Sequence, residues 1–173
     1  MSGPMVTIRI AKVLVVAALG SYALMVASNN MVDYGSNYEF VRHVLSMDTT
    51  FPGNALMHRA ISNETLRRLA YAAIIATEWL TGFLLVGGAL ALLKRLRAPA
   101  EVFNRAKVWA IAGLAVGFGL WFLGFMVIAG EYFVMWQSKV WNGQAAAFRI
   151  ATEMLGGLIF LTLPDPDPAD KTG

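Results

Sequence analysis

The chain has 173 residues, of which 57% are hydrophobic and 14% are charged. Soluble domains average about 45–50% apolar and about 25% charged residues, so this composition indicates a protein embedded in lipid. The absence of cysteine excludes disulfides, iron–sulfur clusters, covalently attached haem and thiol redox chemistry. The small net charge of +3 gives no indication of nucleic-acid binding, and the lipid bilayer is the expected partner.

Four apolar stretches are each long enough to cross the hydrocarbon core of a bilayer, which needs about 20 helical residues. Their approximate bounds are residues 9–28, 69–93, 108–129 and 145–163. Pro164 ends the last stretch, because proline cannot continue a helix. The alternation of Pro and Asp that follows predicts an extended, disordered tail over residues 164–173. The sequence therefore predicts an all-α membrane protein, a four-transmembrane-helix bundle that forms a single domain.

The first stretch has a second interpretation. It follows Arg9 and Lys12, an arrangement that is also typical of a secretory signal peptide. Cleavage after Ala27 would place the bulky Met25 at position −3, where signal peptides carry a small residue. A retained membrane anchor is therefore the favoured interpretation.

Basic residues near the ends of the spans indicate orientation, because cytoplasmic loops are enriched in Lys and Arg. Arg9 and Lys12 precede the first span, whereas the connection between the third and fourth spans carries only Lys139. The four arginines of the first connection are spread over a long loop. The connection between the second and third spans carries five basic residues: Lys94, Arg95, Arg97, Arg105 and Lys107. Both termini are therefore predicted to be cytoplasmic.

The long first connection, residues 29–68, contains two short amphipathic patterns. Apolar residues fall on one helical face at positions 40, 41, 44 and 45, and the same spacing returns at positions 56, 57, 60 and 61. Pro52 and Gly53 between them are typical of a tight turn. The pattern predicts two short helices on the outer side, which either lie on the bilayer surface or pack as a cap on the bundle.

Ionisable residues inside membrane spans are costly and therefore need a partner or a purpose. Glu78 lies in the second span and Glu153 in the fourth. Because both spans are predicted to begin at the outer face, the two carboxylates lie at a similar depth, about 12–14 Å in. Arg149 precedes Glu153 by one turn, and Glu131 closes the third span. We expect these four residues to form one polar cluster in the outer half of the membrane.

This cluster has two interpretations. One cation among up to three carboxylates favours protonation of at least one of them, which is typical of a proton or cation site. Alternatively, a buried ion pair fixes the packing of the helices, and the remaining acid faces water. Contacts of the second kind are common in membrane bundles.

Small residues line part of the third span at Gly113 and Gly117. Such a face lets helices approach closely, either within the bundle or against another membrane protein or a second copy of the chain. The pattern is frequent in membrane proteins, so it does not decide between these partners.

Several classes of small membrane protein are excluded by residues that the predicted spans lack. Haem-binding four-helix cytochromes need histidine within their spans, and intramembrane proteases need a serine–histidine dyad or paired aspartates at membrane depth. No predicted span contains His or Asp, and His43 and His58 in the first connection match no zinc-binding pattern. The sequence therefore indicates no catalytic residue, no metal site and no cofactor.

The first connection also carries a distinctive sequence. Its residues 29–37 read NNMVDYGSN, and residues 40–50 read FVRHVLSMDTT. These runs resemble a bacterial family of predicted small integral membrane proteins, a domain of unknown function found in proteobacteria, and the likeness covers nearly the whole chain. The resemblance implies a four-span protein of the inner membrane with the first connection in the periplasm. It implies no activity, ligand or site residue.

Two functional hypotheses follow from these observations. The first is a non-enzymatic accessory or structural subunit that acts through its helix faces and outer loop, with a membrane-protein partner or as a homo-oligomer. The alternative is a small proton-coupled transporter or channel that uses Glu78, Arg149 and Glu153. We do not expect the protein to be an enzyme.

Overall fold

The structure is a computed structural model that describes residues 3–165. Two single-turn 3₁₀ helices, Met57–Arg59 and Met135–Gln137, lie in the connections, and this part of the chain contains no β-strand. Within it, six helices follow one another: α1 (Gly3–Val32), α2 (Tyr34–Ser46), α3 (Glu64–Leu93), α4 (Ala100–Arg105), α5 (Val108–Phe118, continued as a π-helix over Gly119–Tyr132) and α6 (Gln144–Thr162).

Four helical segments are long and apolar enough to cross a membrane, which confirms the predicted bundle of four spans. Both α1 and α3 extend further toward the first connection than the sequence predicts. The helix of α1 continues through Asn29 and Asn30 to Val32. At the start of α3, the side chain of Asn63 accepts a hydrogen bond from the Leu66 amide at 3.1 Å and caps the helix.

The two ends of the bundle differ in character, and we name them by their residues. The cap end comprises the connections 33–63 and 133–143. The basic end comprises residues 94–107, together with Arg9, Lys12 and the last turn of α6. Of the predicted tail, residues 166–173 lie outside the described part of the chain. Asp165 is described and buried, so the predicted disorder does not begin directly after α6.

Glycines set how closely the helices approach one another. A Cβ atom added to Gly20 of α1 would lie 2.9 Å from the Cβ of Leu85 in α3. One added to Gly88 of α3 would lie 2.6 Å from the backbone nitrogen of Ala110 in α5. Such contacts are too short for real side chains, so α3 can touch both neighbours only where these positions are glycine.

The predicted small-residue face of the third span packs inside the bundle. A Cβ on Gly113 would lie 2.9 Å from Leu85 Cδ2. On Gly117 it would lie 2.9 Å from Thr81 Cγ2 and 3.0 Å from Met154 Sδ. Helix α5 therefore uses this face against α3 and α6, which leaves it unavailable to an external partner.

The third span changes its hydrogen-bond pattern at Gly119. The α-helical bonds of its first half give way to π-helical bonds over 14 residues, up to Tyr132. A π-helix joins residues five apart, takes more residues per turn than an α-helix, and occurs mostly as single turns, often at functional sites. An α-helical period applied to this part of the sequence therefore predicts the wrong set of side chains on each face of the helix.

The first connection packs on the bundle as a cap. Helix α2 buries one face, formed by Tyr38, Val41, Val44 and Leu45, against Tyr71 of α3 and the segment that follows the π-helix. The second predicted amphipathic helix is wrong, since the structure forms only the 3₁₀ turn Met57–Arg59 there, which buries no residue. So short a segment gains too few hydrogen bonds to offset the loss of backbone freedom in a helix.

The adjacent residues Gly87 and Gly88 give a matched test of the close approach of α3 and α5. Gly88→Ala is expected to lower the free energy of unfolding by about 1–3 kcal/mol through overpacking against Ala110. Nothing lies within 4 Å of a Cβ on Gly87, so Gly87→Ala is expected to be neutral or stabilising by up to about 1 kcal/mol. Thermal unfolding in detergent measures both variants. Equal midpoints would show that this contact is not tight.

Candidate functional site

Glu78 is the most deeply buried acidic side chain of the spans, with 2% of its surface exposed. The Asn30 side-chain amide of α1 donates to both of its carboxylate oxygens, at 3.0 Å to Oε1 and 2.8 Å to Oε2. The Asn30 backbone carbonyl in turn accepts a hydrogen bond from the Tyr71 hydroxyl at 2.9 Å. These three residues form a buried polar group that joins α1 to α3.

The structure does not assemble the ion-paired cluster that the sequence suggested. Arg149, Glu153 and Glu131 are exposed, and none of them makes a hydrogen bond or ion pair within residues 3–165. Tyr22 lies within electrostatic range of Glu153, Arg149 and Glu78, so Glu153 and Arg149 share the neighbourhood of Glu78 without contacting it.

The reason is the rotation of α6 about its own axis. Its buried face carries Ala147, Ala151 and Met154, which turns Arg149 and Glu153 outward. Sequence spacing gives the depth of a residue along a helix, but the neighbours decide which face turns inward. Glu78 therefore has an amide as its partner instead of a guanidinium.

Glu78 lies on the wall of a cavity of about 300 Å³ between α1, α2, α3, the π-helix and α6. The polar part of the wall contains Asn30, Asn37, Tyr71 and Glu78. The aromatic part consists of Phe40, Trp121 and Phe125, and the rest is lined by aliphatic residues and Gly143. A concave site with a few convergent polar groups on an apolar wall is the usual form of a small-molecule site.

The π-helix supplies the aromatic wall. Trp121 and Phe125 are four residues apart, and the wide π turn places both toward the cavity. A neighbouring apolar cavity of about 190 Å³ shares Phe125, Phe40 and Ile74 with the first. No sequence pattern had marked Asn30, Tyr71, Trp121 or Phe125 as residues of a site. Only the asparagine pair 29–30 beside a long apolar run offered a signal.

The cavity lies near the membrane boundary at the cap end. From Arg9 to Asn30, α1 rises about 31 Å, close to the full thickness of a hydrocarbon core of about 30 Å. From Glu78 to Lys94, α3 rises about 24 Å. Glu78 therefore lies just inside the apolar layer at the cap end, and the cap covers it from the other side.

Contacts among Arg42, His43, Asp48 and Trp141, here called the clamp, join parts of the cap near this cavity. The ring of His43 stacks on Trp141 with centroids 4.6 Å apart, and Trp141 also contacts Phe40 of the cavity wall. Arg42 Nη2 lies 2.9 Å from His43 Nε2, and because a guanidinium only donates, that nitrogen accepts. His43 Nδ1, 2.9 Å from both oxygens of Asp48, therefore carries the proton.

The clamp makes part of the stability dependent on pH. Burial tends to raise the pKa of Asp48, but the hydrogen bond from His43, together with the contributions of Ser46 and Arg42, holds the pKa below its usual range. A carboxyl with a lowered folded-state pKa stabilises the fold above its unfolded pKa, and the contribution is lost as the pH falls through the folded value.

We therefore expect the thermal midpoint of the wild type to fall more between about pH 6 and about pH 3 than that of Asp48→Asn. All other carboxylates are common to the two proteins, so the difference isolates Asp48. Differential scanning fluorimetry in detergent measures it. Parallel pH profiles would show that the clamp adds nothing to stability.

The chemistry available at the cavity is narrow. It offers one carboxyl group, amide groups and a phenol hydroxyl, with no thiol or imidazole on its wall. Within residues 3–165, no three His, Asp or Glu side chains are placed to hold a metal ion. The site can bind a cation, a proton or a hydrogen-bonding apolar molecule.

The chain matches the family model described as predicted small integral membrane protein (DUF2165) over residues 8–164. No curated protein and no solved structure matches it. The matched range includes the last three spans, the first span from residue 8 onward, the cap and every residue of the cavity wall. The chain therefore belongs to the DUF2165 family of predicted small integral membrane proteins.

Proposed function

We propose that the protein is a small, non-enzymatic proton-coupled transporter or proton channel in which Glu78 carries the proton. The observation behind this proposal is a buried carboxyl group, without a cationic partner in residues 3–165, on the wall of a cavity at the cap end. Arg149 and Glu153 have no direct part in this version of the hypothesis, because neither contacts Glu78.

The cost of an isolated charge supports this role. An ionised carboxylate inside a membrane protein is expensive unless a cation or several donors surround it. Glu78 receives only one amide group, from Asn30, so a bound proton or a cationic solute completes the site. Asn30 suits both states, since its amide donates to a carboxylate and, when rotated, its carbonyl accepts from a carboxylic acid.

The shape of the cavity supports access from the cap end. Its wall runs from Ile150 and Trp121, within the bundle, to Asn37 on α2. On the basic side of Glu78, the bundle is filled by Leu85, Leu114 and Met154, each fully buried. In the proposed transport cycle, this arrangement would be the state that exchanges with the cap end. A transport cycle would require a second state that opens toward the basic end.

The accessory-subunit hypothesis retains a specific support of its own. Val32, directly before the cap end, and Val140 within it are 85% and 75% exposed and are available for contact with another membrane protein. Its other argument, the small-residue face of Gly113 and Gly117, is weakened because these residues pack within the bundle.

We further propose that the basic end lies in the cytoplasm and that the membrane is the bacterial inner membrane. Of the described residues, α1 begins and α6 ends at the basic end, as an even number of spans requires. Lys and Arg dominate this end, in agreement with the rule that cytoplasmic connections are basic. A helical bundle also fits the inner membrane, since outer-membrane proteins are closed β-barrels.

Glu78→Gln tests the transporter hypothesis, because it keeps the size and the hydrogen bond from Asn30 but removes the titratable group. We expect wild-type proteoliposomes to show potential-driven proton uptake, and Glu78→Gln to fall to the level of protein-free vesicles. Glu131→Gln, on an exposed site without partners in residues 3–165, is the control and should retain wild-type flux. An entrapped pH-sensitive dye reports the flux.

Infrared difference spectroscopy gives a second measurement of the same residue. A carboxylic-acid carbonyl band that responds to bulk pH in the wild type should be lost in Glu78→Gln and kept in Glu131→Gln. Unchanged flux in Glu78→Gln, together with stoichiometric co-purification of another membrane protein, would contradict the transporter and favour the accessory subunit.

The orientation can be tested directly because the chain contains no cysteine. Ala55→Cys places a single thiol at the cap end, and Glu101→Cys places one at the basic end, both on exposed residues. In intact spheroplasts, a membrane-impermeant maleimide is expected to label the first variant, and the second only after lysis. The reverse pattern would invert the proposed topology.

A further inference from the structure

The basic end contains a second buried polar group, which is unrelated to Glu78. Arg9, Lys12 and Lys107 are each at least 97% buried, and the single acid among them is Asp165. Arg9 and Lys12 come from the first half of α1, Lys107 directly precedes α5, and Asp165 is the third residue after α6. Three cations around one carboxylate leave two positive charges without a buried counter-charge in residues 3–165.

The two lysines are fully engaged. Lys12 Nζ lies 2.7 Å from Asp165 Oδ2 and donates to the Leu163 carbonyl at 2.6 Å. Lys107 Nζ lies 2.5 Å from the same carboxylate oxygen and donates to the same carbonyl at 2.9 Å. Burial tends to raise the pKa of Asp165, but the bonds from Lys107 and Lys12 hold it below its usual range. Asp165 is therefore anionic and neutralises only one of its neighbours.

Arg9 uses only half of its guanidinium group. Its Nη1 donates to the carbonyls of Leu96 and Ala98, at 3.0 Å and 2.7 Å, and its plane lies 4.4 Å from the ring centre of Phe103. Its Nε and Nη2 are buried and have no acceptor. Asp165 Oδ1 is 3.9 Å from Nε, which is beyond hydrogen-bond distance.

The two unused nitrogens form one edge of the guanidinium. Nε–H and one N–H of Nη2 point in the same direction, and two parallel donors of this kind match two oxygens of a phosphate or carboxylate group. Buried donors without acceptors are rare in native proteins and indicate an absent water or ion. The free edge of the buried Arg9 can therefore accept an anion or a water molecule.

A cavity of about 80 Å³ lies beside this edge. Its wall consists of Met5, Ile8, Arg9, Pro164 and Asp165. The volume exceeds what one water molecule needs. Ile8 and the nearby Ile10 are about half exposed on the surface of α1, in the part of the span that meets lipid. The cavity thus has an apolar rim toward the bilayer, and its charged wall consists of Arg9 and Asp165, with Lys12 and Lys107 bonded to the far side of the same carboxylate.

We propose that this cavity binds the phosphate group of an anionic phospholipid from the leaflet at the basic end. The Arg9 edge would take two phosphate oxygens, and the apolar rim at Met5 and Ile8 would lie against the glycerol and upper acyl chains. The surplus of positive charge around Asp165 favours an anion over water. Exposed Lys94, Arg95 and Arg97 at the same end add a field that attracts anionic lipid.

The test uses the full chain, delipidated in detergent. Binding of phosphatidylglycerol is measured by native mass spectrometry and by thermal shift, with phosphatidylcholine and inorganic phosphate as separate probes. Arg9→Lys keeps the charge and removes the two-donor edge, and we expect it to lose about tenfold in phosphatidylglycerol affinity, as two charge-assisted hydrogen bonds would be lost. Arg97→Lys, on an exposed residue of the same end, should bind as the wild type does.

A second variant keeps the proposal testable if Arg9→Lys does not fold. Met5→Trp fills the rim of the cavity and leaves every cation in place, so it too should lose phosphatidylglycerol binding. Equal binding by the wild type, Arg9→Lys and Met5→Trp would overturn the proposal. Inorganic phosphate that binds as well as phosphatidylglycerol would also overturn it, in favour of a soluble anion.

The remaining alternative is that an acidic side chain of this protein, and not a lipid phosphate, binds the free edge of Arg9. Asp167 and Asp170 lie outside the described residues, close in sequence to Asp165. If one of them occupies the Arg9 edge, the double variant Asp167→Asn, Asp170→Asn will bind phosphatidylglycerol more tightly than the wild type, and the proposal fails. Unchanged binding by this variant supports the lipid. None of these outcomes depends on the role of Glu78.

Discussion

The close approach of α3 to its two neighbours is the constraint on which the rest of the structure depends. Gly20 lets α1 approach α3, and Gly88 lets α3 approach α5, in each case where a Cβ atom would collide. Since lipid tails are as apolar as the helix surfaces, close van der Waals contact replaces the hydrophobic effect as the force that joins the helices. The position of α1 against α3 then brings Asn30 level with Glu78.

The buried charged side chains of residues 3–165 lie toward the two ends of the bundle, and the two groups differ in kind. At the cap end, Glu78 is a buried acid with only a neutral partner. At the basic end, Arg9, Lys12 and Lys107 surround the single acid Asp165. Each group is incomplete in charge, and each lies beside a cavity. An incomplete buried charge is costly, so both ends are suited to binding an ion, a proton at one and a phosphate group at the other.

The third span packs tightly in its α-helical half and lines the cap-end cavity in its π-helical half. Below Gly119, α5 is α-helical and presents its glycines to α3 and α6, which closes the bundle. Above it, the π-helix places Trp121 and Phe125 along the cavity, where α2 and the clamp of His43 and Trp141 complete the enclosure. The same span thus closes one half of the bundle and leaves space in the other.

Much of the architecture follows from the sequence alone. Apolar runs of about 20 residues can only be satisfied as membrane-spanning helices, so the number of spans could be predicted. Helix bounds are less accessible, since α1 and α3 extend into the first connection and the third candidate span begins at Ala100. The burial of Glu78 was also accessible, because its place in an apolar run requires a buried or paired carboxyl group. The partner of that carboxyl group was not, since Arg149 and Glu153 have the right depth but face outward.

Only the tertiary structure decided the rotation of each helix, and with it the side-chain pairings between helices. The sequence determined which residues lie in the membrane, because hydrophobicity acts on each segment by itself. The bond from Asn30 to Glu78 joins residues 48 positions apart, and the bond from Lys12 to Asp165 joins residues 153 positions apart. Such pairings depend on how neighbouring helices fit together, which no local pattern records. The four spans follow from the sequence alone, whereas both proposed binding sites depend on the tertiary structure.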